Sequence, residues 1–227
     1  MDFLSYLNDK EESGVSFAKL GSNSKNLIIC FGGNHHDGFE RKTSLVDFKN
    51  ERGDFDILYL RDRARWYLNN LCGIGTKIED TIQFLKSEIG QYEKTICVGI
   101  SSGGYASILF SGLCGATISI SEIPQTNLRY CTNKLPYILN KLPKNESFDK
   151  YCSLDKFIFP SVTYYTSYRT EWIMKDMVFD DEVLHGFPHY KLIQSFDNVK
   201  LLNTTPAGRL SAADFYMLLS KCLDPAV

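Results

Sequence analysis

The sequence predicts an α/β fold, a mostly parallel sheet of about six strands with helices on both faces. Short continuous apolar runs recur along the chain, as expected for strands buried on both faces. Segments of helical periodicity fall between them, and small-residue turns separate the two. With 227 residues, the chain is long enough for one domain with a sizeable core, spanning 1–227.

Asn26–Phe31 (NLIICF) is the first buried strand, preceded by the turn residues Gly21 to Ser24 and closed by Gly32-Gly33. Gly14–Leu20 is expected to add an antiparallel edge hairpin. Phe55–Leu60 (FDILYL) is the second run. In Thr76–Gly90, Ile78, Ile82, Leu85 and Ile89 share one helical face, with Thr76 as N-cap and Gly90 as stop. Lys94–Ile100 is a third strand, Tyr105–Leu113 a buried helix, and Ala116–Ile120 a fourth strand. Val162–Thr166 and Val199–Asn203 make the fifth and sixth, with helices at Tyr190–Phe196 and Ser211–Cys222. The polar, proline-containing interval 121–160 breaks the alternation and reads as a short cap insertion.

Composition narrows the partners. A net charge of -2 argues against nucleic acid, which usually leaves a basic surplus. No apolar run approaches the ~20 residues that span a bilayer. The opening MDFLSYLNDKEESG carries acids where a secretory signal needs a basic start and an apolar run. The seven cysteines form no C-x-x-C pair, which suggests reduced thiols and a cytoplasmic chain. Cys30, Cys97 and Cys114 lie in or beside apolar runs, where a thiol behaves as a small hydrophobe.

One stretch carries chemistry. Gly99-Ile100-Ser101-Ser102-Gly103 fits G-x-S-x-G with Ser101 as nucleophile, whereas Ser102 does not fit that frame. A serine on a sharp strand-to-helix turn needs small neighbours, because a side chain there meets adjacent backbone. The turn also points the Ser102 N–H at a developing oxyanion. A second donor is expected from Phe31-Gly32-Gly33, where Gly32 and Gly33 let backbone amides approach a carbonyl. His35, His36 and Asp37 follow, but adjacent side chains on an extended chain diverge, so a metal site is not expected there.

With FGG in the first loop, GISSGG at the elbow and this strand–helix order, the chain resembles the α/β-hydrolase superfamily. It looks closer to compact bacterial members associated with surface polysaccharides than to large lipases. Asp62-Arg63-Ala64-Arg65-Trp66-Tyr67 is similar to a D-x-x-x-W-Y segment of such proteins. The resemblance implies serine chemistry on an acyl group: hydrolysis of an ester or thioester, or O-acyl transfer. It implies no cofactor, and an acyl substrate that is a small molecule, a glycan or a glycan precursor.

A serine hydroxyl needs a base to take its proton. The family places that histidine after the last strand, and here Thr204 to Arg209 contains none. Downstream of the elbow stand only His185 and His189, either of which is a candidate base; Pro188 would open a helix beside them. A helix start would favour the neutral imidazole. His35 and His36 are on the loop expected to overhang the elbow and are weaker candidates. Beyond the fifth strand, Glu171 is the nearest carboxylate and the candidate acid, with Asp176, Asp180 and Asp181 further on. Arg169 is a candidate for holding an anionic group. The rival reading is a hydrolase fold that has lost its chemistry and serves in binding or assembly.

Overall fold

A computed structural model describes residues 2–21, 23–33, 39–62, 67, 68, 71, 73–131, 146–174, 177–180, 189–202, 204 and 208–224. Strands β1 (Phe17–Leu20), β2 (Asn26–Phe31), β3 (Phe55–Leu60), β4 (Lys94–Ile100), β5 (Ile118–Glu122) and β6 (Thr163–Ser167) belong to one sheet. Val199–Leu202, here β9, completes it, and the strand order is β1-β3-β2-β4-β5-β6-β9. Every neighbouring pair is parallel except β1 with β3. The sheet thus has seven strands, the additional one being the antiparallel edge β1. That edge pairs with β3, not with its chain neighbour β2. A separate antiparallel hairpin joins β7 (Glu171–Met174) to β8 (Met177–Asp180). The sequence reading did not place a strand there.

The apolar runs are buried on both sides because alternate residues feed two cores. Leu27, Ile29, Phe31 and Cys97 face one cluster, together with helices α3 (Ile78–Ile89) and α4 (Ser102–Cys114). Ile28, Cys30, Ile96, Val98 and Ile120 face the other. Helices α1 (Phe3–Glu12), α2 (Lys42–Arg52) and α7 (Ala212–Leu223) contribute to that second core. A period of two in a strand covered by helices gives this division directly. Helices α1 and α2 escape the sequence reading because charged residues interrupt their apolar stripes. Each buries little: Leu7 in α1, and Leu45, Val46 and Phe48 in α2.

Several boundaries shift for local reasons. Helix α3 begins after Lys77 because Asp80 accepts the amides of Thr76 (2.8 Å) and Lys77 (3.1 Å). Thr76 is therefore not the cap. Strand β5 starts at Ile118, after Gly115 in the left-handed conformation ends α4, and runs on to Glu122. The expected helix at Tyr190–Phe196 is a single 3-10 turn, His189–Leu192. The chain must turn back at once, since the Asn198 carbonyl already accepts from the Tyr164 amide (2.9 Å) and Val199 opens β9.

In the interval 121–160, helices α5 (Leu128–Cys131) and α6 (Glu146–Tyr151) flank residues 132–145, which lie outside the described set. Leu128, Tyr151, Cys152, Leu154 and Ile158 are buried in the same core as α4. The Tyr105 hydroxyl donates to the Tyr151 carbonyl at 2.6 Å. This part of the interval is packed core.

Candidate active site

Strand β4 ends at Ile100, and α4 starts at Ser102. Between them Ser101 has φ 57° and ψ −117°, a conformation costing about 1–3 kcal/mol for a residue with a Cβ. Its amide donates to the Glu122 carbonyl (2.8 Å), and its carbonyl accepts from Tyr105 (2.9 Å). The glycines around it are sterically required. A Cβ on Gly99 would lie 2.1 Å from the Gly103 oxygen, and one on Gly103 2.2 Å from the Phe31 oxygen. On Gly104 it would lie 2.9 Å from the Glu122 oxygen. The turn is tight because strand, helix and the loop after β2 meet backbone to backbone.

Ser102 is the first residue of α4, where amides lack intrahelical partners. Its buried hydroxyl has no hydrogen-bond partner among the described residues. The two glycines after β2 differ. Gly32 prolongs the sheet, its N–H donating to Leu60 (2.9 Å) and its carbonyl accepting the Tyr67 hydroxyl (3.0 Å). Gly33 lies against the elbow: a Cβ there would stand 3.0 Å from the Ile100 oxygen. Of the pair, Gly33 stands beside the elbow and Gly32 is a sheet residue. His35, His36 and Asp37 lie outside the described residues.

Two braces hold this edge. Tyr67, at φ 59°, donates its amide N–H to the Asp62 carboxylate (2.6 Å) and packs edge-to-face on Phe31. Burial pushes its hydroxyl well above the ordinary tyrosine range, so it stays a donor. The second brace was not read from the sequence. Glu122, at the end of β5, takes Arg41 on one carboxylate oxygen and the Leu210 amide (2.8 Å) on the other. Arg41, itself at φ 53°, lies 4.0 Å over the Phe215 ring. Burial raises the Glu122 carboxyl above its usual range, against the opposing pull of Arg41 and the Leu210 N–H.

The Ser101 hydroxyl meets an amide. It lies 3.5 Å from Gln125 Oε1 and accepts from Gln125 Nε2 at 3.3 Å. Among the described residues it hydrogen-bonds no other side chain. Gln125 follows β5, a position no motif singles out.

His189 is buried at the start of its 3-10 turn, where its carbonyl accepts the Thr126 hydroxyl. This brings it to the residue next to Gln125. A single turn has no helix N-terminus, so the argument for a neutral imidazole from a helix start does not apply. His185 lies outside the described residues. The backbone of Glu171 opens β7. The loop after β9 returns to the site without a histidine: Gly208 packs against Ile123 and Tyr168, and its carbonyl accepts the Ser167 hydroxyl. Arg169 lies just past β6, on the same edge. No cluster of three metal-binding side chains occurs among the described residues, and none of their helices is long and apolar enough to cross a membrane.

No protein-family model matches the chain, and no curated protein matches it. Solved structures do. A capsule O-acetyltransferase of Neisseria meningitidis serogroup A aligns at TM-score 0.58 and 15% identity, over 90% of this chain and 88% of that one. The fluorophosphonate-binding serine hydrolase FphF of Staphylococcus aureus aligns at 0.56 and 14%, over 89% and 83%. The monoacylglycerol lipase of Paleococcus ferrophilus aligns at 0.57 and 12%, over 92% and 97%. With its parallel sheet and its serine elbow after β4, this protein has the α/β-hydrolase fold.

Proposed function

We infer that the protein is a serine-dependent acyl hydrolase or O-acyltransferase with Ser101 as nucleophile. The backbone of Ser101 carries the reading: φ 57° and ψ −117° between β4 and α4, enclosed by glycines that admit no Cβ. Packing alone does not demand a serine at so strained a position. Ser101 Oγ attacks the acyl carbonyl, and the amides of Gly33 and Ser102 stabilise the oxyanion. His189 takes the serine proton and returns it to the leaving oxygen, with His185 as the other candidate and Glu171 as the acid that orients it. The substrate is an acyl ester, and transfer to a glycan draws support from the capsule O-acetyltransferase that shares the fold.

The test is labelling with a fluorophosphonate probe, alongside hydrolysis of short-chain aryl esters. Labelling of the parent and its loss in Ser101→Ala is the expected result. An unlabelled and inactive parent overturns the reading.

A second reading, a hydrolase fold kept for binding or assembly, is favoured by one observation. The group on Ser101 Oγ is the Gln125 amide, which cannot act as a base at neutral pH. An unlabelled parent supports this reading.

A further inference from the structure

Ile123, the residue after β5, lies at φ 44°. Two features of the sequence oppose that backbone. A branched Cβ crowds the left-handed region, and the ring of Pro124 drives the residue before it toward extended backbone. Such a conformation persists only where the surroundings hold it. The Ile123 amide donates to the Ser167 carbonyl (3.0 Å), continuing the ladder between β5 and β6. Its buried side chain meets the segment after β9, where a Cβ on Gly208 would collide with Ile123 Cγ2. Gly208 is tied to β6 in turn, its carbonyl accepting the Ser167 hydroxyl.

The residues on either side of Ile123 reach the reacting groups. Before it, the Glu122 carbonyl accepts the Ser101 amide (2.8 Å). After it, the Gln125 carboxamide donates to Ser101 Oγ (3.3 Å), and the Thr126 hydroxyl donates to the His189 carbonyl. The chain thus leaves β5 at the serine's backbone and returns at its hydroxyl. Glycine would take this turn without strain, but it has no side chain to set against Gly208. The branched residue makes the same turn and is fixed in it.

We propose that Ile123 is a positioning residue for attack by Ser101. Wedged between β6 and Gly208, it locks residues 122–126. Through Gln125 and Thr126 it holds the Ser101 hydroxyl and the backbone of His189 in one arrangement. Groups held in place before the reaction enter the rate of attack rather than the binding of substrate. This assignment rests on Ser101 being the nucleophile.

Labelling kinetics test it. Ser101 Oγ attacks the phosphorus of a fluorophosphonate; the Oγ–phosphorus bond forms, fluoride leaves, and the hydroxyl proton passes to the base. Saturation with probe separates the labelling rate kinact from the binding constant KI. Ile123→Gly accepts the turn but removes the wedge. Its folded fraction, read from a melting curve, should label with kinact about tenfold below the parent and KI unchanged. Ile123→Val keeps both γ-carbons and should recover most of the loss. Ile123→Ala, which also lacks the wedge, takes the place of the Gly variant if that one does not fold. In the parent, the Ile123 amide should be as protected from hydrogen exchange as the amides of β4 and β5.

An unchanged kinact in the folded Gly or Ala variant overturns the role of Ile123, since lost packing lowers the melting temperature and not the rate per folded molecule. A loss confined to KI, or a Val variant no faster than the Gly one, overturns it as well. Rapid exchange of the Ile123 amide in the parent does so without any variant. Absence of label from the parent overturns the nucleophile and this assignment together.

Discussion

The Arg41 guanidinium closes on the Glu122 carboxylate across 81 residues of chain, and the Glu122 main chain in turn holds the Ser101 amide. One residue thus joins the end of the loop after β2, the serine elbow and, through Leu210, the segment after β9.

The two halves of this pair are expected to respond unequally to mutation. Arg41→Met leaves a buried carboxylate without its cation and should cost about 3 kcal/mol. Glu122→Gln keeps an acceptor for the Leu210 amide and removes the charge that burial penalises, but turns its NH2 toward Arg41. It should cost less, about 1–2 kcal/mol. Urea denaturation at neutral pH reads both, and equal losses would contradict the account.

A pH dependence follows from the same group. Burial raises the folded-state pKa of Glu122 above its ordinary value, so the folded chain holds this proton more tightly than the unfolded chain. Its contribution to stability is full below the unfolded pKa of about 4.3 and declines as pH rises through the folded value. Stability curves of parent and Glu122→Gln should diverge over that window, with the parent falling relative to the variant. Parallel curves would remove Glu122 as the source.

The elbow glycines provide a steric test. Gly103→Ala sets a Cβ against the Phe31 carbonyl and Gly99→Ala against that of Gly103. Each should lose more than about 3 kcal/mol or fail to fold. Gly53, at φ 78° with nothing within 4 Å of an added Cβ, should cost only about 1 kcal/mol as Ala. Thermal unfolding of the three variants checks the ranking.

Tyr67→Phe should cost about 1 kcal/mol by leaving the Gly32 carbonyl without its hydroxyl donor. If Gly33 supplies an oxyanion donor, ester turnover should fall in kcat more than in KM. Steady-state kinetics beside a melting curve separates the two effects.

The cysteines should be chemically quiet. Cys30, Cys97, Cys114, Cys152 and Cys222 are buried free thiols, and burial pushes Cys97 to about 12 and Cys222 to about 11. The thiolate is the reactive form. At pH 8 no more than two of the seven cysteines should react quickly with an aromatic disulfide, since five are buried. Denaturant should release the rest.

Strands β2, β3 and β4 and the elbow frame were legible in the sequence because each is written in neighbouring residues. An apolar run between turns reports its own burial, and G-x-S-x-G reports the backbone it must permit. Helices α1 and α2 were not legible, since one buried side chain in α1 and three in α2, set among charges, leave no clear period. The 3-10 turn at His189 was misread as a helix. Its Leu192, Ile193 and Phe196 have helical spacing, but Asn198 and Val199 are already committed to the sheet edge.

The sequence by itself determined which serine sits at the turn, because sterics between adjacent residues leave Ser101 the only frame. What surrounds that serine was decided by tertiary structure. Gln125 stands 24 residues away, and Glu122 meets an arginine from the far side of the sheet's centre. Neither residue carries a local pattern, because a contact between distant segments depends on strand order and register, and these arise only when all seven strands pack together.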